Sequence, residues 1–418
     1  MRPAILLGRG VEGCGVTKCA IEFAKGCPGA RIYATVDKKW PRRSGHDFEK
    51  LEFRAGNLTE QESVTDAINE CHDSVLVFSV PSVDHPEDCQ EGFLKMLDEI
   101  EHKKIMLHFD HSVKALHMNA NLEQVVGQMD AIMAHSETGV LGKWMKKKHI
   151  QVPFKPMVLG FDYDAHRARF WKPYPDPVWK MGWGTVRWIG RTARWKGVQL
   201  MLDFHEQKLQ PAGTYRTILE GLEASINYVI ALYYDEHGKT QKRPVNNKFR
   251  AWGPGTKKDT EIHWGEEEFG ADAYLYPPYK HDDCMERLSQ SMFGSDLYHL
   301  KADQYGDNIE NCHAEIVASG AVPIFHKHFG DNIVHRVSGL PASQDPRSGT
   351  IWLDVDNMDQ AFHDMEQLLA DPGLWNERRE MAFEFWKAHS NVNISVDTIL
   401  ECVRTTEKNA GSLEGLWT

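Results

Sequence analysis

In the stretch GRTARWKG, residues 190–197, Arg191 and Lys196 stand five apart directly after an apolar, strand-like run. Cations at the end of a strand suit a diphosphate, because doubly wound folds bind ligands outside the carboxyl ends of their strands. A pair of exposed cations at a helix entrance would read the same way. Farther on, IENCHAEIVASGAVPIF, residues 309–325, carries Glu310 and Glu315. Five residues is about 140° around a regular helix, so the two carboxylates cannot share a face. They converge only if Glu310 lies in the loop before the helix. A loop carboxylate could then accept hydroxyls from one part of a ligand and a helix carboxylate from another.

Upstream, AILLGRGVEGCGVTK, residues 4–18, holds Gly8, Gly10, Gly13 and Gly15 in a literal G-x-G-x-x-G that runs into Thr17 and Lys18. A dinucleotide fold wants an acidic residue at the end of the second strand, and Asp37 stands there. That keeps a nucleotide-dependent oxidoreductase open. Its supporting chemistry is thin: the Y-x-x-x-K from Tyr276 to Lys280 encloses Pro277 and Pro278 and cannot be a helical pair. A P-loop needs Gly-Lys-Ser/Thr, and here Thr17 precedes Lys18. A glycine loop facing a diphosphate held mainly by another domain is the reading that remains.

The elements needed to carry these residues are legible as short aliphatic runs. AILLG, RIYATV, SVLVFSVPS, KIMLHFD, AIMAHS and PMVLGF punctuate the first ~160 residues, with helical patterns between them. Such runs predict a parallel sheet covered on both faces. A Pro- and Trp-rich crossing follows near 162–184, then TVRWIG, a helix near 198–209, DAYLY, AVPIF and TIWLDV. The expected fold is α/β, with two doubly wound Rossmann-like domains facing a cleft, at 1–178 and 179–385. A segment at 386–418, polar beyond the last helix (374–390), packs back on the first domain. Residues 236–270 are expected to form a long excursion.

The chain has 418 residues, 41% hydrophobic and 26% charged, with no apolar run long enough to span a membrane, so a cytoplasmic protein is expected. Eight cysteines without C-x-x-C spacing predict reduced, mostly buried thiols, and no metal-ligand set is visible. The net charge of −12 argues against binding by general phosphate attraction, while KKWPRR (38–43), KWMKKKH (143–149) and the basic stretch at 242–258 leave room for a local nucleic-acid groove.

Taken together, RGVEGCGVTK (9–18), DHSV (110–113), RWIGRTARWKG (187–197), LDFHEQKLQPAG (202–213), LEGLEAS (219–225), MERLSQSMFG (285–294), HAEIVASGAVPIF (313–325) and GTIWLDVDNM (349–358) resemble the DNA α-glucosyltransferases of T-even bacteriophages. These are retaining enzymes of the two-domain (GT-B) glycosyltransferase type. The resemblance implies a UDP-sugar donor, with Arg191 and Lys196 on the diphosphate, Glu315 on the ribose and Glu310 toward the sugar or pyrophosphate. It sets Met292, Phe293 and Gly294 near the uracil, and brings Gly13, Cys14 and Gly15 onto the donor from the first domain. The acceptor it implies is 5-hydroxymethylcytosine in double-stranded DNA, reached by base flipping, with no resident cofactor or metal and a monomeric enzyme. Asp110, with His111 beside it, is the candidate to orient or activate the acceptor hydroxyl. The family pattern there is His-Asp-His-Ser; this chain keeps Asp110, His111 and Ser112 but has Phe109 first, which opens other acceptors such as hydroxymethyluracil, a glycosylated base or a small molecule. Trp40, Arg42, Arg43, Lys146 to Lys148 and Trp171 are candidates for a DNA groove.

Overall fold

The computed structural model describes residues 1–8, 15–35, 50–81, 87–109, 121–173, 184–190, 197–221, 262–263, 273–276, 281–298 and 308–408. The chain forms two compact units, the first from residues 1–162, 302–308 and 390–418, the second from 163–301 and 309–389. The first boundary thus falls at Asp162/Tyr163, earlier than the expected 178.

The first unit is built on strands β1 (Pro3–Leu7), β2 (Arg31–Thr35), β3 (Lys50–Phe53), β4 (Ser74–Ser79), β5 (Lys103–His108), β6 (Ala131–Ala134) and β7 (Phe154–Pro156). They lie in the order β3-β2-β1-β4-β5-β6-β7, every pair parallel. Alternate residues of each strand feed opposite faces. Ala4, Leu6, Val75, Val77 and Met106 join one core with Phe93 and Met96 of the helix Glu87–Glu99. Ile5, Leu7, Leu76, Phe78, Ile105 and Leu107 join another with Phe23 of the helix Gly15–Gly26. Two buried faces explain why these strands read as unbroken aliphatic runs.

Two local expectations are corrected. PMVLGF is not a strand: β7 ends at Pro156, and the backbone that follows is held by Asn308, whose Oδ1 accepts from Leu159 N–H and whose Nδ2 donates to the Met157 carbonyl, both at 2.8 Å. A side chain has taken the place of a neighbouring strand. Residues after 390 are not a polar tail throughout. Val392–Thr405 is a helix whose Val392, Val396, Ile399, Cys402 and Val403 recur at helical spacing and are buried, with Val396 against Gly26 of the helix Gly15–Gly26.

The second unit repeats the plan with β8 (Gly184–Gly190), β9 (Tyr215–Gly221), β10 (Ile262–His263), β11 (Ala273–Tyr276), β12 (Phe293–Asp296), β13 (Val322–His326) and β14 (Ile351–Leu353). Their order is β10-β11-β9-β8-β12-β13-β14, and among them only β10 runs antiparallel to its neighbour. Val186, Trp188, Met292, Phe293 and Ile324 meet Met365 and Leu368 of the helix Met358–Ala370 in one core. The helix Val198–Phe204 continues as a π-helical turn, His205–Leu209, in which His205 Nδ1 and Thr217 Oγ1 share a buried hydrogen bond of 2.9 Å. No described helix is long and apolar enough to cross a membrane.

Candidate functional site

Each sheet changes winding direction once, between β1 and β4 in the first unit and between β8 and β12 in the second. At such a switch point the connections diverge and leave a crevice at the strands' carboxyl ends. The sequence puts its two candidate phosphate loops at these points. The Arg191–Lys196 loop leaves β8, and the glycine loop leaves β1.

In the second unit, Arg191 and Lys196 themselves lie outside the described residues, but both ends of their loop are fixed. Gly190 ends β8, and Gly197 has φ +65 with its Cα close over Leu297, just past β12. A Cβ there would stand 2.3 Å from the Leu297 carbonyl oxygen, so only glycine allows the approach. Gly197 is thereby held beside the end of β12.

Glu310 and Glu315 answer the geometric condition set by their spacing. The helix begins at Asn311, and Glu310 is its N-cap, in extended conformation (φ −79, ψ 158). Glu315 sits on the buried face, 6% exposed. The helix start is held by His313, a residue the sequence did not single out. Its Nε2–H donates to the Asp296 carbonyl at the end of β12 (3.2 Å), and its Nδ1 accepts from Glu310 N–H (3.4 Å). The ring stacks on Phe329 (centroids 4.3 Å, 20°) and meets Phe325 edge-on (4.4 Å, 73°). The imidazole is fully buried and so ties the Glu310 backbone to the switch-point strand. Glu315 has its own partner, also missed: His281 Nε2 lies 2.7 Å from Glu315 Oε1.

Met292 and Phe293 turn their side chains into the core of the second unit. Met292 and Phe293 are 0% exposed within the core, and the Met292 carbonyl accepts from Trp375 Nε1 (2.9 Å) and Val322 N–H (3.0 Å). Gly294 is where Ile316 of the Glu315 helix packs on the sheet; a Cβ would come within 2.6 Å of it.

In the first unit, Gly13 and Cys14 lie outside the described residues, while Gly15 opens the helix Gly15–Gly26 and is exposed. Gly8 N–H donates to the Ser79 carbonyl (2.8 Å), tying the start of the glycine loop to β4. Thr17 is 1% exposed, and Lys18 Nζ lies 4.8 Å from the centre of the Phe161 ring. Both are turned into the packing, which is the structural reason the P-loop reading fails. Asp110, His111 and Ser112 lie outside the described residues, as does Asp37. Phe109 is described, and its ring belongs to the core: it is 8% exposed, 6.0 Å from Phe78 and edge-on to His135 at 6.0 Å. The Phe109 ring is thus part of the first unit's core.

Of the DNA-groove candidates, Trp40, Arg42 and Arg43 lie outside the described residues. Lys146, Lys147 and Lys148 are exposed at the end of the helix Val140–Lys148, where Lys148 pairs with Glu123 at 2.9 Å. Trp171 lies in the second unit, with the guanidinium groups of Arg167 (4.1 Å) and Arg379 (4.5 Å) near its ring and Phe383 edge-on.

The chain matches the DNA alpha-glucosyltransferase family over residues 14–373. It is 30% identical over 409 residues to the DNA alpha-glucosyltransferase of Enterobacteria phage T4, a match covering 94% of this chain and 96% of that protein. A solved alpha-glucosyltransferase in complex with UDP and a 13-mer DNA containing a HMU base superposes with TM-score 0.81 at 29% identity, covering 97% of this chain and 100% of the other. Another, in complex with UDP-glucose and DNA containing an abasic site, gives 0.82 at 29% identity with the same coverage. A trehalose-6-phosphate synthase, 10% identical with TM-score 0.57, shares the fold alone. These findings set aside the oxidoreductase built on Asp37. The chain belongs to the DNA α-glucosyltransferase family and is a glycosyltransferase that acts on DNA.

Proposed function

We propose that the chain moves glucose from UDP-glucose to the hydroxymethyl group of 5-hydroxymethylcytosine in duplex DNA, with retention of configuration. The observation that carries this reading is the arrangement around the end of β12. Gly197, which follows Arg191 and Lys196 in sequence, stands against Leu297, and the cap and buried face of one short helix carry Glu310 and Glu315. The relatives solved with UDP, with UDP-glucose and with DNA support the same donor and polymer class.

Breaking the glycosidic bond leaves negative charge on the diphosphate, so fixed cations aimed at the leaving oxygen lower the barrier. Arg191 and Lys196 take that role. Glu315 accepts the ribose hydroxyls, and Glu310 faces the sugar or the pyrophosphate. Gly13, Cys14 and Gly15 present backbone to the donor. Asp110, with His111, orients the acceptor hydroxyl of a flipped nucleotide. The departing phosphate takes the acceptor proton on the same face of the sugar.

The test is to incubate the protein with 5-hydroxymethylcytosine DNA and a panel of UDP-sugars, digest the DNA and weigh the nucleosides. A hexose added from UDP-glucose in α-linkage is the expected product; a pentose, or product only on hydroxymethyluracil DNA, would replace the donor or acceptor in this reading. Arg191→Ala, Lys196→Ala and Glu315→Ala should each abolish transfer without unfolding the chain. Near wild-type transfer by any of the three removes that residue from the donor site.

A further inference from the structure

We infer that His281 is a positioning residue for donor recognition, holding the Glu315 carboxylate in the orientation from which it accepts the ribose hydroxyls. The inference rests on the reading of Glu315 given above and adds a residue that the motifs do not carry.

His281 is the first residue of the helix His281–Ser289, whose Cys284, Met285, Leu288 and Ser289 are buried. That helix reaches the end of the Glu315 helix, where Ser319 Oγ approaches Met285 Sδ at 3.9 Å and His166 Nε2 at 2.9 Å. The contacts fix where the first turn of His281–Ser289 stands. His281 Nε2 then lies 2.7 Å from Glu315 Oε1, and Nδ1 lies 3.6 Å from Asp282 Oδ1. A ring nitrogen at 2.7 Å from a carboxylate oxygen is a donor, so Nε2 carries a proton.

The two residues differ in exposure in a way that separates their roles. The Glu315 side chain is 8% exposed, that of His281 26%. A nearly buried carboxylate needs a hydrogen-bonding partner in the unliganded protein. A carboxylate whose torsions are already fixed loses less freedom when a diol binds than one that must be ordered. His281 meets both needs from the rim without occupying the core.

The experiment compares His281→Ala, His281→Gln and Glu315→Ala with the wild type. The readouts are KM and kcat for UDP-glucose, and the ratio of dissociation constants for 2′,3′-dideoxy-UDP and UDP. That ratio isolates the ribose hydroxyls, which a general loosening of the fold would leave alone. His281→Ala should raise KM about tenfold, the loss of part of one charged hydrogen bond. It should leave kcat within about twofold and bring the dideoxy/ribo ratio down toward that of Glu315→Ala. His281→Gln, which keeps a donor, should recover most of both. If Glu315→Ala lowers the ratio and His281→Ala does not, the positioning role is overturned while the donor site stands. If Glu315→Ala also leaves the ratio unchanged, Glu315 does not hold the ribose and both readings fall. A fall in kcat shared by both His281 variants, with an unchanged ratio, would make the contact a packing one.

Discussion

Gly197 and Gly213 form a matched pair for testing how the end of the loop proposed for the diphosphate is held. Both have positive φ, +65 and +68, but a Cβ on Gly213 would meet nothing within 4 Å, whereas one on Gly197 would stand 2.3 Å from the carbonyl oxygen and 2.5 Å from the Cβ of Leu297. Alanine in the left-handed region costs about 1–2 kcal/mol at either site. Stiffening the unfolded chain returns about 0.4–1 kcal/mol. Gly213→Ala should therefore destabilise by no more than about 1.5 kcal/mol. Gly197→Ala adds an overlap with backbone that no rotamer relieves, typically about 1–3 kcal/mol more. At about 2–4 °C per kcal/mol for a unit of this size, its melting temperature should lie roughly 2–12 °C below that of Gly213→Ala. Relief requires residue 197 to move away from Leu297. If that breaks one charge-assisted hydrogen bond to the diphosphate, worth about 1.5–3 kcal/mol, KM for the donor rises about ten- to hundredfold. Thermal unfolding and donor titration of the two variants are the assay. Equal melting temperatures together with an unchanged donor KM would refute the claim that Leu297 anchors the loop.

Three further outcomes follow from the packing. Asn308→Ala strips the bonds to Leu159 N–H and the Met157 carbonyl, so chemical denaturation should show a loss of about 2–6 kcal/mol, at about 1–3 for each buried group left unpaired. Phe109→His restores the family residue in a nearly buried position beside His135. It should lower the melting temperature and leave the choice among hydroxymethylated DNA substrates unchanged; an altered choice would return Phe109 to the acceptor site. Burial pushes His335 and His72 below the ordinary imidazole value of 6.5, so the unfolded chain binds more protons as the pH drops through that value. Their contribution is complete above about pH 6.5 and is lost on acidification, so the melting temperature should fall from pH 7 to 5.5, and less so in His335→Gln.

Most of the strands were legible because a sheet buried on both faces must be written as continuous aliphatic runs. PMVLGF misled for the same reason: Met157 and Val158 are buried as strand residues would be, but Asn308, distant in sequence, bonds the Met157 carbonyl and the Leu159 N–H. The helix Val392–Thr405 was hidden by polar residues between its apolar positions, Asn393, Asp397 and Glu401 among them. At the site, the Glu310–Glu315 spacing stated the condition for the two to converge, a helix that begins after Glu310, and the helix does begin at Asn311. His281 and His313 carried no such arithmetic. A histidine that braces a carboxylate or a helix cap is defined by what lies across from it, and for both residues that is a segment elsewhere in the chain.

The helix Val392–Thr405 also bears on how the protein is made. The first unit takes part of its core from residues that leave the ribosome only after the entire second unit has been synthesised. Until then the end of Gly15–Gly26 around Gly26 lacks its packing against Val392 and Val396, for tens of seconds at roughly 5–20 residues per second. The second unit is interrupted only by 302–308 and can complete its core while the first still waits. The earlier-made unit is therefore the later one to have all of its core residues synthesised.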